Sequence, residues 1–193
     1  MIRRFRDLVN GVKLFRTSSK EPLAVTMAGV KLGQRLLAVG TREPKLIAQL
    51  AVKSGLTGRA CIVDADEERL TSAASAIERE GALVETTRAP YGMWPFEENS
   101  FDIAVIPDLL PSLTPDVRVR CITEVLRVLR PGGRVIVIER APRGGLVGAL
   151  MGGARIAPAY AGPIETLRGN GFAAVRELAE TDGVTYVEGI KKP

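Results

Sequence analysis

Residues 36–50, LLAVGTREPKLIAQL, join a strand-like segment to a helix-like one through a single glycine. The apolar run ends at Gly40, and a helix-like pattern with Pro44 in its first turn follows within a few residues. Proline suits that turn because no backbone N–H is needed there. A buried strand, a glycine turn and a helix form the corner at which α/β proteins bind nucleotides. The stretch therefore predicts such a corner, with one glycine where a dinucleotide-binding turn carries three.

Strand-like and helix-like segments alternate along the rest of the chain. Apolar strands are predicted at 34–39, 60–64, 82–87, 101–106 and 134–139. Helices are predicted at 43–54, after a capping Asp66, from Thr114–Pro115 onward and near 163–169. Strands that are apolar on both faces are typical of a parallel sheet covered by helices. The alternation predicts a doubly wound, Rossmann-like α/β sheet with helices on both faces.

Two turn signals carry predictions for the C-terminal half. Pro131-Gly132-Gly133 is expected to stop the helix that begins at Thr114. Thr181-Asp182-Gly183 is expected to join two final strands as a hairpin. Between them, residues 143–163 are rich in Gly and Ala and poor in charge. A surface loop is the default expectation for that segment, with a short helix or an oligomer contact as alternatives.

The first 20 residues carry a net charge equal to that of the whole chain, +5. Their apolar residues recur at helical spacing, namely Ile2, Phe5, Leu8, Val9, Val12 and Phe15. We predict a basic amphipathic helical arm over residues 1–30 and a single domain over residues 31–193. The arm either packs on the domain with solvated arginines, or contacts an acidic protein, a membrane surface or a nucleic-acid backbone.

Several function classes are excluded by composition. The chain has no histidine, which removes Ser-His-Asp and Cys-His nucleophiles and His-ligated metal sites. Cys61 and Cys121 show no metal-binding spacing and are predicted to be inert core thiols in a reducing compartment. No apolar run approaches the ~20 residues of a membrane-spanning helix. The N-terminus lacks the apolar segment of a signal peptide, so we expect a cytoplasmic protein.

Two segments resemble the class I S-adenosylmethionine-dependent methyltransferases. These are WPFEENSFDIAV (94–105) and ITEVLRVLRPGGRVIVIE (122–139), and LRGNGFAAV (167–175) resembles the family's junction before its sixth strand. The likeness covers about residues 30 to 190. It implies about seven strands, mostly parallel with an antiparallel last strand, S-adenosylmethionine as cofactor and a small-molecule methyl acceptor. Methyl transfer depends mainly on positioning and water exclusion, so it needs no histidine.

The resemblance places the cofactor over the carboxyl ends of the first strands. The turn residues implied to contact it are Val39, Gly40, Thr41, Arg42 and Glu43. Family members usually carry an acid two positions before this glycine and two further glycines after it, and Ala38, Arg42 and Pro44 stand there instead. Glu43 is a candidate replacement for the missing acid.

The acid that ends the second strand is the clearest candidate for a cofactor contact. Asp64 follows Gly40 by 24 residues, close to the spacing of a ribose-binding acid. A loop or capping role is the alternative, but Asp66 already supplies a cap. Ala65 would then lie along the adenine. After the third strand no adenine-reading acid is present, so Pro90 and Tyr91 are expected to hold the base.

The end of the fourth strand is implied to lie near the transferable methyl group. The residues there are Ile106, Pro107 and Asp108. Asp108 is the candidate catalytic residue, which would orient or deprotonate the acceptor. A capping or exposed loop acid is the alternative for Asp108. Trp94 is expected to be a packing residue.

Three function hypotheses follow. The first is a methyltransferase that uses S-adenosylmethionine, with no metal. The second is a catalytically silent methyltransferase-like subunit that binds through its basic arm, favoured by the altered turn. The third, a nicotinamide-dependent oxidoreductase, is disfavoured because the dinucleotide fingerprint needs three spaced glycines and only Gly40 is present.

Overall fold

A computed structural model describes residues 22–141 and 160–193. The strands are β1 Arg35–Val39, β2 Arg59–Asp64, β3 Glu85–Arg88, β4 Phe101–Pro107, β5 Leu129–Arg140, β6 Ala173–Thr181 and β7 Val184–Ile190. The helices are α1 Leu23–Ala28, α2 Pro44–Ser54, α3 Glu67–Arg79, α4 Pro115–Val128 and α5 Pro163–Gly169, with a 3₁₀ turn at Leu110–Ser112. The predictions for the arm over residues 1–20, and for all but the last residues of the Gly/Ala-rich segment, lie outside the described residues.

The strands form one seven-stranded sheet in the order β3-β2-β1-β4-β5-β7-β6. The pairs from β3 to β5 are parallel, and β7 is antiparallel to both of its neighbours. The predicted α/β sheet of seven strands with an antiparallel last strand is confirmed. The chain runs outward from β1 in one direction and from β4 in the other. The crevice above these two strands is therefore the topological switch point, where open α/β sheets bind ligands.

Apolar side chains pack on both faces of the sheet. On one face Val39, Ile106 and Val137 pack with the buried sides of α4 and α5. On the other face Ile136 and Ile138 pack with α1 and α2. Burial on this scale is the main stabilising term of the domain. Because the faces of the sheet are covered, the polar groups that could contact a ligand lie at the ends of the strands.

The two cysteines are buried in the first of these clusters. Burial raises the pKa of Cys61 and of Cys121 to about 12, so both are protonated at neutral pH. The prediction of buried core thiols is confirmed. In the same cluster Trp94 is buried, as expected for a packing residue.

The last turn of the predicted arm belongs to the domain core. Residues 23–28 form α1, and Val25 and Ala28 are buried beside α2 and β5. Within residues 22–141 and 160–193, no helix is long and apolar enough to cross a membrane. The cellular location of the protein stays a prediction.

The helix α4 ends just before Pro131-Gly132-Gly133, as predicted, but β5 begins before this turn and not after it. The helix ends at Val128, and β5 starts at Leu129 and continues through the turn. Leu129 pairs with Phe101 while Arg134 pairs with Ile103, so the intervening residues bulge from the ladder. β3 likewise begins later than predicted, at Glu85.

Lys191 holds the junction between α4 and β5 from the far end of the chain. Its Nζ donates to the carbonyl oxygens of Leu129 (2.7 Å) and Arg127 (3.2 Å) and to Asn99 Oδ1 (2.8 Å). We expect Lys191→Met to lower the free energy of unfolding by about 1–2 kcal/mol, because a charged donor to these oxygens is lost. Urea unfolding measures this change. Lys192→Met makes the same charge change at an exposed position, and an equal loss there would contradict the prediction.

Candidate functional site

The turn after β1 depends on the backbone conformation of Gly40. Its φ is +86°, in the region that favours glycine, and its N–H donates to the Val63 carbonyl at 2.8 Å. A Cβ here would lie 3.4 Å from Leu109 Cδ2, an ordinary contact. The glycine is therefore required for the sharp turn more than for space. Pro44 starts α2 as predicted, and Arg42 is exposed.

Ala38 occupies the position at which related turns carry an acid. It is fully buried with Ile47 and Leu70, between the sheet and the helices α2 and α3. A carboxylate there would lose its hydration, which is strongly unfavourable unless donors or a cation compensate for it. A small apolar residue therefore suits the packing of this chain at position 38.

Asp64 lies at the carboxyl end of β2, beside the Gly40 turn. Its side chain is only 3% exposed. Thr41 Oγ1 donates to Oδ2 at 2.9 Å, while the Asp66 N–H (3.0 Å) and Arg69 Nη2 (3.1 Å) donate to Oδ1. The predicted ribose-binding acid is thus correctly placed at the strand end. Its carboxylate is already held by donors of this chain, including Arg69, which sequence reasoning missed.

Tyr91 adds a polar group without a partner to this corner. Its hydroxyl is buried and lies near Asp64, but it makes no hydrogen bond of good geometry with the residues that the structure describes. Burial, followed by the Asp64 charge, raises the pKa of Tyr91. Buried hydroxyls normally have a partner, and a bound ligand would supply one here. Ala65 and Pro90 are exposed at the same edge, where the Ala89 N–H donates to the Asp64 carbonyl at 3.0 Å.

A second polar group forms around Arg140, at the carboxyl ends of β4 and β5. Arg140 Nη1 lies 2.5 Å from Glu43 Oε1 and 3.8 Å from Asp108 Oδ2. Asp108 adopts a φ of +51°, and its Oδ1 accepts from the Arg140 N–H at 3.3 Å. These side chains border a cavity of about 290 Å³ that Pro107 and Tyr186 also line. The structure therefore brings Glu43, Pro107 and Asp108 together around a cation that the sequence did not single out.

A third group, also missed, lies on the other face of β5. Glu139 is 7% exposed and accepts a hydrogen bond from the Tyr160 hydroxyl. The Arg118 guanidinium lies 4.2 Å from the centre of the Tyr160 ring. Burial raises the pKa of Glu139 to about 7. A sequence signal did exist, because Glu139 is an acid that ends an apolar strand, the pattern that selected Asp64.

Two apolar residues among the predicted contacts have no exposed surface. Val39 and Ile106 are fully buried in the core beneath the crevice. Only their backbone atoms can face a ligand there. The assignment of these residues, and of the others named for the cofactor, stays a prediction.

Comparison with known proteins agrees with this geometry. The methyltransferase domain family matches residues 37–133, half of the chain. The ubiquinone/menaquinone biosynthesis C-methyltransferase UbiE of Nitrosospira multiformis is 32% identical over 117 residues, which are 60% of this chain and 47% of that protein. The protein of the same name from Pseudomonas putida is 30% identical over 60% of this chain and 45% of its own length. The chain thus spans about half the length of these curated relatives.

The fold is also found in solved structures. A SAM dependent methyltransferase from Aquifex aeolicus superposes with a TM-score of 0.71 at 19% identity, over 88% of each chain. At that identity the likeness shows the fold alone. The family match covers β1, β2, β3 and β4, the strands that position Gly40, Asp64 and Asp108. The chain belongs to the methyltransferase domain family, within the class I methyltransferases whose cofactor is S-adenosylmethionine.

Proposed function

We propose that this protein transfers a methyl group from S-adenosylmethionine to a small-molecule acceptor. The observation that carries the proposal is the corner formed by Gly40, Asp64 and Tyr91. It combines a sharp glycine turn, a strand-end carboxylate and a buried hydroxyl without a partner, at the switch point of the sheet. These groups suit a ligand that has a sugar with two hydroxyls and a flat base.

The proposal assigns the two ends of the ligand to different residues. Asp64 would accept hydrogen bonds from the ribose hydroxyls, and Tyr91 would contact the base or sugar from the β3 side. The Arg69 side chain is 51% exposed, so it can turn outward and free the Asp64 oxygen that it now holds. Thr41 and the Asp66 N–H would keep the carboxylate oriented during this exchange.

The cofactor supplies an electrophilic methyl group when it is bound. The contribution of this chain is to align the acceptor with that group and to keep water away. Asp108 is proposed to orient the acceptor, since its carboxylate is itself fixed by the Arg140 backbone and side chain. Glu43 pairs with the same nitrogen of Arg140, Nη1, and so helps to hold the guanidinium beside Asp108.

The acceptor class is drawn from the relatives and is part of the proposal. Their printed name includes carbon methylation in ubiquinone and menaquinone biosynthesis. We therefore propose carbon acceptors related to these compounds as the first to be tested, with hydroxyl and amine acceptors next. The Arg140 cavity and the Glu139 group are the two polar environments near the end of β4 where such an acceptor would be held.

Binding of the cofactor to the full chain tests the proposal directly. We expect S-adenosylmethionine and S-adenosylhomocysteine to raise the melting temperature, with a stabilisation of about 2.7 kcal/mol at a ligand concentration 100 times Kd. Titration calorimetry gives the affinities, and adenosine triphosphate and NAD serve as controls for general nucleotide binding. If neither cofactor form binds at millimolar concentration, the enzyme hypothesis is wrong and the silent subunit replaces it.

A further inference from the structure

Glu139 lies at the edge of the sheet where the acceptor is proposed to bind. The Asp108 N–H donates to the Ile138 carbonyl at 2.7 Å, and the Arg140 N–H donates to Asp108 Oδ1 at 3.3 Å. Asp108 is therefore bonded to the backbone on both sides of Glu139. Since side chains alternate along a strand, Glu139 is on the face of Val137 and opposite to that of Arg140.

The Glu139 side chain is buried and has no ion-pair partner among the described residues, although the charge of Arg118 acts on it. Tyr160, which precedes α5, donates its hydroxyl hydrogen to Glu139 Oε1. Arg118, on α4, faces the ring of Tyr160 and donates to the carbonyls of Leu110 (2.9 Å) and Leu113 (2.7 Å). Asp108 is the acidic neighbour at the end of β4. In residues 22–141 and 160–193 no lysine or arginine forms an ion pair with Glu139.

A buried carboxyl group in this position differs from the other carboxylates of the site. Asp64 has Arg69 beside it, and Asp108 and Glu43 share Arg140. Without such a cation, the charged form of Glu139 is disfavoured by burial, so the group holds a proton more readily than an ordinary glutamate. A group that takes up and gives up a proton near neutral pH suits general base catalysis.

We propose that Glu139 is the catalytic residue that accepts the proton of the methyl acceptor, with Tyr160 and Arg118 as its positioning residues. The inference rests on the proposed function and deepens it. An electron pair of the acceptor forms the new bond to the methyl carbon, and the carbon–sulfur bond breaks with its pair staying on sulfur. The proton of the acceptor passes to the Glu139 carboxylate and later to water. The products are the methylated acceptor and S-adenosylhomocysteine.

The proposal selects a class of acceptor. The attacking atom, or a hydroxyl conjugated with it, must lose a proton during the reaction. Hydroxyls, amines and activated ring carbons meet this condition, whereas thioethers and tertiary amines have no such proton. The relatives' carbon methylation falls in the first group.

The environment of Glu139 sets the direction of each expected pKa effect. Burial raises its pKa to about 7, the Tyr160 hydrogen bond lowers it, Asp108 raises it and Arg118 lowers it. A sulfonium placed near the carboxylate adds a positive charge and lowers the pKa further, by about one unit at a separation of ~4–6 Å. S-adenosylhomocysteine differs from S-adenosylmethionine at this point because its sulfur is neutral. The two ligands therefore form a matched pair that tests the distance of Glu139 from the reacting centre.

Titration calorimetry on the full chain tests the inference without any acceptor, because it measures the protons released when a ligand binds. Each ligand is titrated at pH 7 in two buffers with different ionisation enthalpies, which gives the protons released on binding. We expect S-adenosylmethionine to release roughly 0.4 proton more than S-adenosylhomocysteine, the result of lowering a pKa of about 7 by one unit. In Glu139→Gln the difference should vanish, and in Glu165→Gln, the same change at a side chain that is 61% exposed, it should persist. In Tyr160→Phe the pH of greatest release should move upward, since the donor that stabilises the carboxylate is lost.

The outcomes separate the two proposals. If both ligands bind and release equal numbers of protons, Glu139 is a structural acid and the inference is overturned while the cofactor site stands. The same follows if the difference persists in Glu139→Gln. If neither ligand binds, the proposed function is overturned, and the inference with it. Because glutamine keeps the shape of the side chain and can still accept from Tyr160, circular dichroism should show Glu139→Gln folded.

Discussion

Replacing Asp64 with asparagine is expected to weaken the binding of S-adenosylhomocysteine by about 10- to 100-fold, or roughly 1–3 kcal/mol. The carboxylate offers charged acceptors to two ribose hydroxyls, and the amide offers one neutral oxygen. Asparagine fits the same space, because its Oδ1 can accept from the Asp66 N–H while its Nδ2 donates to Thr41 Oγ1, which now lies 2.9 Å from Asp64 Oδ2. The fold should therefore be retained, so calorimetry can measure the change in affinity on a folded protein. An unchanged affinity would show that the ribose is bound elsewhere.

Arg69→Gln is the matched control for this experiment. It breaks the same ion pair from the other side, because Arg69 Nη2 lies 3.1 Å from Asp64 Oδ1. If Asp64 binds the ribose, freeing this oxygen should leave the affinity unchanged or increase it a few-fold. Equal weakening in both variants would mean that the ion pair itself, and not the free carboxylate, supports cofactor binding.

Glu139 is expected to make the stability of the protein fall as the pH rises from about 4.5 to 7. Its pKa in the folded protein is about 7, against an ordinary value of 4.5. Below pH 4.5 the group is protonated in both states and has no effect. Between these values the folded state binds more protons than the unfolded state, so the free energy of unfolding falls with pH. The full difference is about 3 kcal/mol, since each pKa unit corresponds to about 1.4 kcal/mol.

Urea unfolding of the wild-type chain and of Glu139→Gln at pH 5 and pH 8 measures this effect. Other titrating groups contribute equally to both proteins, so the difference between the two isolates Glu139. We expect the variant to gain stability relative to the wild type as the pH rises through this window. Parallel curves for the two proteins would show that Glu139 is charged in the folded state at neutral pH.

Much of the fold was predictable because local chemistry determines it. Asp66 caps α3 by accepting from the Arg69 N–H at 3.0 Å, as the helix pattern predicted. Asp182 and Gly183 both have a positive φ, the conformation that a two-residue hairpin requires, and they join β6 to β7. Signals of this kind involve residues that are neighbours in sequence, so they can be recognised in a single sequence.

The start of β5 was not predictable because it depends on a residue that is distant in sequence. Proline and two glycines are local signals for the end of a helix, and α4 does end nearby. The segment instead continues as a bulged strand because Lys191 exchanges backbone hydrogen bonds with Gly132 and Gly133, at 3.0 and 2.8 Å. Lys191 lies near the end of the chain, so no sequence pattern around Gly132 and Gly133 predicts this pairing.

The residues of the candidate site likewise fall into those that the sequence identified and those that it did not. Strand-end acids follow from the topology of a parallel sheet, so Asp64 and Asp108 were identified from their positions. The pairs of Glu43 with Arg140 and of Glu139 with Tyr160 join residues that are distant in sequence. Arg118 was not singled out in the sequence, yet it is only 4% exposed. Long polar side chains meet only when the fold is complete, and the sequence does not show their partners.

Arg69 also affects how the amount of this protein in a cell would depend on the supply of S-adenosylmethionine. By neutralising Asp64, it lets the empty corner remain folded when the cofactor is scarce. A natural variant without this arginine would leave a buried negative charge that the bound ligand must satisfy. Degradation follows the unfolded fraction, so the level of such a variant would follow the level of S-adenosylmethionine. Arg69 is therefore expected to reduce the dependence of this protein's abundance on its cofactor without removing it, because bound S-adenosylmethionine stabilises the wild type as well.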